Sequence, residues 1–275
     1  MDEESGTPLA SFEAKWTAAH PEFALALKFV APHRRDAEAA FACLSFELEQ
    51  AAFATRDAEP AAIKLQWWAE ELVRAGRGEA RHPLTQVLAT HAAFAAVVPA
   101  RWYAAIRGAL AQREPDPAAD RQTLLAAYGE LYRPLADVEA ELFGGVEAAA
   151  RARISAVARA LRETAGLAES LRAGRLPLPL DLLAQHRLAR GDLAQASPAR
   201  AAALQQWMSA LADELRTVPA KAAGVIGAAT RSADRSRARR ASRAGEPLAA
   251  LNEALGKLPP AAVWAAWRAG RRSLA

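Results

Sequence analysis

The sequence predicts an all-α fold in one domain, and three observations carry that expectation. Alanine supplies about a quarter of the 275 residues while valine and isoleucine are scarce, so local preference favours helix and leaves strands little material. Prolines recur between apolar stretches of helical period, where they mark boundaries. Trp67 and Trp68 place two adjacent indoles in an otherwise aromatic-poor chain. Successive residues on a helix point about 100° apart, so burying both rings requires neighbours on more than one side. A chain of this length can bury roughly three quarters of its unfolded surface in a single core, so the expected domain is 1–275.

In chain order, helices are expected from Ser11 to Ala19 and, after Pro21, from Glu22 to Ala31. Pro32 separates the latter from Arg34 to Thr55, and Pro60 precedes Ala61 to Ala75, which carries the tryptophan pair. Pro83 to Phe94 and Ala100 to Ala111 follow. Ala118 to Phe143 should stop at Gly144-Gly145, and Glu147 to Arg172 at Gly174, because glycine accepts the left-handed conformation that ends helices. Pro179 to His186, Pro198 to Arg216, Lys221 to Arg243, Pro247 to Lys257 and Pro260 to Arg271 complete the set. No repeat of fixed period and no Gly/Ser linker divides it.

Several function classes drop out. The lone Cys43 excludes an internal disulfide framework and a cysteine-based zinc site, and points to a reducing compartment. The opening Met1-Asp2-Glu3-Glu4-Ser5 is acidic where an export signal is basic and then apolar, and no stretch reaches the roughly 20 apolar residues of a membrane span. The expected location is a bacterial cytoplasm, with a peripheral position at the inner membrane as an extension of it. There is no Gly-rich phosphate loop, Ser-His-Asp set or paired-histidine zinc pattern, and His20, His33, His82, His91 and His186 read as surface or capping residues.

Charge is unevenly placed. From Arg216 onward there are twelve Lys or Arg against three acids, a balance of +9 that exceeds the whole chain's +4, so the rest is net acidic. Within the basic segment 231–275, Arg231, Arg235, Arg239 and Arg243 recur every fourth residue along one helix face, with Arg237 and Arg240 beside them. The row reads first as a solvated face; an anionic membrane surface is the next reading, then an acidic protein partner. Nucleic acid is not expected, because no aromatic residues interleave to stack on bases. Trp264 and Trp267 with Arg268, Arg271 and Arg272 fit either a cap on the core, the preferred reading, or a helix lying at a lipid interface.

Three segments stand out: Phe23 through Val30 with Ala31-Pro32-His33-Arg34-Arg35; Ile63-Lys64-Leu65-Gln66-Trp67-Trp68 with Arg81-His82-Pro83-Leu84; and Gly174-Arg175-Leu176-Pro177-Leu178-Pro179-Leu180-Asp181-Leu182-Leu183. Together they resemble the squalene and phytoene synthase family, the head-to-head branch of the all-helical isoprenoid synthases. The resemblance implies a single isoprenoid-synthase-type helical bundle. It also implies chemistry in which Mg²⁺, held by two Asp-x-x-x-Asp motifs on facing helices, draws diphosphate from a prenyl diphosphate. In this sequence those motifs fail. The resemblance puts Glu49 and Phe53 at the first, and Gly166, Glu169 and Ala173 at the second, with the turn bearing the last acid missing before Gly174. Tyr132-Arg133-Pro134 stands where the family keeps small residues along the hydrocarbon tunnel, which should narrow or bend it. Asp116 with Asp120, and Asp137 with Glu141, have the four-residue spacing but read as caps or solvated faces.

The expectation is therefore a degenerate member with no confident catalytic residue, no metal and no cofactor, in which Trp67, Trp68 and Tyr132 serve scaffold and cavity. Its role would be to bind a prenyl lipid or other apolar ligand, or to act as an assembly protein. The resemblance supplies a precedent: a mitochondrial phytoene-synthase-like protein, also short of the acidic motifs, assists assembly of respiratory complex I. The alternative is an active Mg²⁺-dependent transferase that joins two farnesyl or geranylgeranyl diphosphates head-to-head.

Overall fold

A computed structural model describes residues 8–55, 57–113 and 115–273; the acidic opening Met1 to Ser5 and the last two residues of the expected 1–275 domain lie outside them. Among the described residues there are fourteen α-helices and no strand, only an isolated bridge between Val146 and Ala223. Short helices α1 (Pro8–Ala19) and α2 (Pro21–Ala26) lead into the long α3 (Pro32–Glu49), which Pro32 starts. Then come α4 (Ala58–Gly76), α5 (Pro83–Ala89), α6 (Pro99–Ala111) and α7 (Arg121–Phe143). After the Gly144-Gly145 turn, where both glycines have positive φ, follow α8 (Ala148–Ala165), α9 (Leu167–Arg172) and α10 (Leu180–Gln185). The chain closes with α11 (Pro198–Thr217), α12 (Gly224–Ala241), α13 (Pro247–Leu255) and α14 (Pro260–Ser273).

Packing explains the order. Helix α7 lies against α6 and α8, while α12 lies against α14, α11, α8 and α2, so α3, α7, α8 and α12 surround the middle of the molecule. Small residues permit the closest approaches. A Cβ on Gly108 of α6 would sit 2.1 Å from the carbonyl oxygen of Glu130 on α7, and one on Gly270 of α14 would sit 2.5 Å from that of Phe29. The core they enclose includes Trp16, Trp68, Trp102 and Trp207, all nearly fully buried.

Several expectations change. Trp68 is buried as expected, but Trp67 is 40% exposed. His20 is no surface residue: it is buried and its ring stacks on Phe23. His82 does cap, its Nδ1 accepting the Leu84 N–H at 3.2 Å to start α5. The expected helix to Ala31 unwinds after Ala26 through a 3₁₀ turn, Leu27–Phe29, and the expected 147–172 helix divides at Gly166. Trp264 does not cap the core; it is 58% exposed and stacks on Trp267 at 4.6 Å between ring centres.

Candidate functional site

At the centre of the bundle is a small cavity of about 50 Å³. Its wall takes Trp16 from α1, Phe23 from α2, Ala42, Ser45, Phe46 and Glu49 from α3, Tyr132 from α7, Ile226 and Thr230 from α12, and a polar stripe from α8. That stripe is Arg151, Ser155, Arg159 and Arg162, spaced four, four and three residues apart and therefore aligned on one helix face. His20, next to α2, completes the rim.

Each arginine is already neutralised. Arg151 pairs with Glu139 of α7 at 2.8 Å, and Arg159 pairs with Glu163 one turn along while its guanidinium lies 4.2 Å from the centre of the Phe53 ring. Arg162 pairs with Asp234 at 3.0 Å and with Glu22 at 3.3 Å, and its Nη2 lies 2.9 Å from Nδ1 of His20. Because a guanidinium only donates, Nδ1 accepts and the imidazole proton sits on Nε2. Burial, reinforced by the Arg162 charge, holds the pKa of His20 below its ordinary value, consistent with a neutral ring.

Behind this wall runs a buried ion network. Arg237 donates to Glu22 and to Asp234, each at 2.8 Å, and to the backbone carbonyls of Ala254, Leu255 and Lys257. Arg237 was expected beside the exposed arginine row; instead it is 1% exposed and joins α12 to α2 and to the end of α13. Burial alone would raise the Glu22 carboxyl, but the guanidinium groups of Arg237 and Arg162 outweigh it and hold the group far below the usual carboxylate range.

The two expected motif positions separate. Glu49 reaches the cavity and faces the hydroxyl of the fully buried Tyr132, whose pKa is driven well up by burial and then by the Glu49 charge, so the phenol stays protonated. Phe53 lies on a π-helical turn, Gln50–Ala54, and packs edge-on against Tyr128. Gly166 caps the break between α8 and α9, Glu169 pairs with Arg172 at the surface, and Ala173 ends α9; none of the three lines the cavity. In the place of the missing acidic turn, Arg175 donates to Glu163 at 2.8 Å, and Ser170 donates to the same carboxylate at 3.1 Å.

Magnesium asks for several oxygen ligands, of which carboxylates supply the charge. Glu49 is the only carboxylate on the cavity wall, opposite three guanidinium groups, and no cluster of three or more His, Cys, Asp or Glu among the described residues is arranged to hold a metal ion. The residues present do not fit Mg²⁺. The other acid pairs are engaged elsewhere: Asp120 caps α7 through the Thr123 N–H at 2.8 Å, while Asp137 and Glu141 bind Arg101 on the exposed face of α6. Pro134 lies inside α7 without ending it, and the buried Tyr132 lines the cavity.

Trp67 and Trp68 stand away from the cavity and organise the α4–α5 joint. Trp68 meets the His82 ring edge-on at 4.7 Å, and Glu71, one turn on, accepts the N–H groups of Arg81 and His82 at 2.7 and 2.9 Å and the Thr85 hydroxyl. The sequence reading missed Glu71, Glu22, Asp234 and the arginines of α8. The α8 stripe had a visible signal in its helical spacing, and Asp234 had one as the single acid of an arginine-rich helix. Of the arginine row, Arg231 caps α11 by donating to the carbonyls of Leu215 and Arg216, whereas Arg235, Arg239 and Arg243 line a groove with Ser232, Ser236, Arg240 and Ala261.

Among solved structures the chain is similar to the squalene synthase HpnC from Alicyclobacillus acidocaldarius, with 18% identity, a TM-score of 0.62, and 90% of this chain and 93% of that one covered. It is also similar to a dehydrosqualene synthase solved with a ligand, with 14% identity, a TM-score of 0.64, and 90% and 95% covered. At these identities the likeness establishes the fold. A comparison with curated proteins finds no match. The profile of the squalene/phytoene synthase family matches residues 17–268, nearly the whole helical bundle just described, and the chain belongs to that family.

Proposed function

We propose that this chain is a member of the family that has left synthase chemistry and acts as a scaffold or assembly protein. The observation that carries the reading is the make-up of the central cavity: about 50 Å³, with one carboxylate facing three arginines. Ligand pockets usually have about 300–1,000 Å³, and a prenyl diphosphate with its magnesium ions needs a volume of that order together with two sets of acids. A space of this size suits a few water molecules. The same argument weighs against a prenyl-lipid carrier that uses this cavity, which leaves assembly as the favoured role and the mitochondrial precedent as its model.

The retained family segments support the reading from another direction. Arg35 donates to the Leu27 carbonyl at 3.0 Å, Trp68 and Glu71 tie α4 to α5, and Arg175 balances Glu163, so each is used to hold helices together. A scaffold keeps such residues without catalysis. The test is to incubate pure protein with Mg²⁺ and farnesyl or geranylgeranyl diphosphate and to follow diphosphate release. No release above the enzyme-free rate is expected, and turnover at ordinary enzymatic rates, about 1 s⁻¹ or more, would overturn the reading.

A further inference from the structure

Helix α12 carries a single acid, Asp234, and that acid is wholly buried and turned inward to Arg162 and Arg237. Its outward face is left cationic. Arg235 and Arg239 on that face, and Arg243 two residues past its end, have no carboxylate partner among the described residues, whereas Arg240 beside them pairs with Glu253 at 3.2 Å. The three line a groove of about 530 Å³ whose other wall includes Ala261 of α14 and whose floor carries Ser232 and Ser236. Like charges spaced four apart repel, so the row costs stability unless an anion covers it.

From Ala261 an exposed stripe continues along α14 through Trp264 and Arg268, three and four residues on. Trp264 is 58% exposed and rests on Trp267, which also has the Arg271 guanidinium 5.2 Å from its ring centre. Leu258, just before α14, is also exposed. A hydroxyl-floored arginine groove suits phosphate groups, and a braced, exposed indole at its edge suits the headgroup zone of a bilayer, where tryptophan is enriched. An acidic peptide would use the arginines but would leave the indole and Leu258 unexplained.

We propose that the outward face of α12 and the Ala261–Trp264–Arg268 stripe of α14 form a docking surface for an anionic phospholipid membrane. It is independent of whether the central cavity turns anything over. No helix among the described residues is long and apolar enough to cross a bilayer, so attachment is to the surface.

The full chain should float with phosphatidylcholine vesicles containing phosphatidylglycerol, not with phosphatidylcholine alone, and should be released by high salt. Each arginine at the surface is worth about fivefold in partitioning, so R235Q/R239Q/R243Q should bind about 100-fold more weakly. W264A should weaken binding and remove the tryptophan blue shift seen on vesicle addition. R107Q, a remote exposed arginine on α6, should change neither, and thermal melting of all variants should match the parent. Three results would overturn the proposal: no binding to anionic vesicles; binding unchanged in the triple variant; or capture of inorganic phosphate or polyglutamate through the same arginines without vesicle binding.

Discussion

Glu22 has exchanged all of its water for protein neighbours, chiefly the Arg237 and Arg162 guanidinium groups, and its contribution to stability follows their charges. Because its folded pKa is depressed, that contribution is present above the unfolded value of 4.5 and is lost as the pH falls below it. Glu22→Gln leaves Arg237 and Arg162 buried with too little countercharge and should cost about 3–5 kcal/mol, read as a lowered urea midpoint at neutral pH. Glu38 behaves in the opposite sense. Burial raises it to about 7, with Glu139 pushing the same way and Arg34 and Arg151 opposing. A raised carboxyl makes the folded state bind the extra proton, so stability should fall as pH rises from 4.5 through 7, by an amount on the order of 3 kcal/mol. Glu38→Gln should flatten that part of the stability–pH curve; an unchanged slope would refute the assignment. These residues were hard to see in the sequence, because a buried acid looks like a surface acid until its partner, here some two hundred residues away, is known. Trp67 shows the reverse: adjacency to Trp68 suggested burial, but its ring, which meets His82 edge-on, is left 40% exposed.

At the level of elements, proline and glycine punctuation located nearly every helix, since both act through local backbone geometry. What it could not locate were the 3₁₀ turn at Leu27–Phe29 and the π turn at Gln50–Ala54, where tertiary packing shifts the hydrogen-bond ladder without a change in composition; the division of the 147–172 helix did carry a signal, Gly166 itself. The α6–α7 contact offers a direct check on packing. Gly108→Ala would drive a Cβ to 2.1 Å from a backbone carbonyl and should destabilise by about 1–3 kcal/mol as the helices part. Gly129→Ala, on α7 but facing open space, should instead stabilise by about 0.5–1 kcal/mol. If thermal melting ranked the two the other way, the α6–α7 packing described here would be wrong. The π turn has a consequence for the site as well, because it carries Phe53 beneath Arg159, where the resemblance placed an acid.

For the whole molecule, the fold was legible because it rests on composition and punctuation, and the family was legible in three segments that turn out to be joints between helices. The cavity was only half legible. Absent acids can be read from a sequence, but the substitution of a paired arginine stripe for a metal cluster depends on α8 facing α3 and α12, which only the assembled bundle provides. The central claim is that this cavity has no place for divalent metal. Mn²⁺ shares with Mg²⁺ a preference for oxygen ligands in octahedral geometry and is visible by electron paramagnetic resonance. Titrating the protein with Mn²⁺ in the presence of inorganic diphosphate should leave the spectrum that of Mn²⁺ with diphosphate alone; loss of that signal to a saturable, protein-bound species that competes with Mg²⁺ would contradict the account.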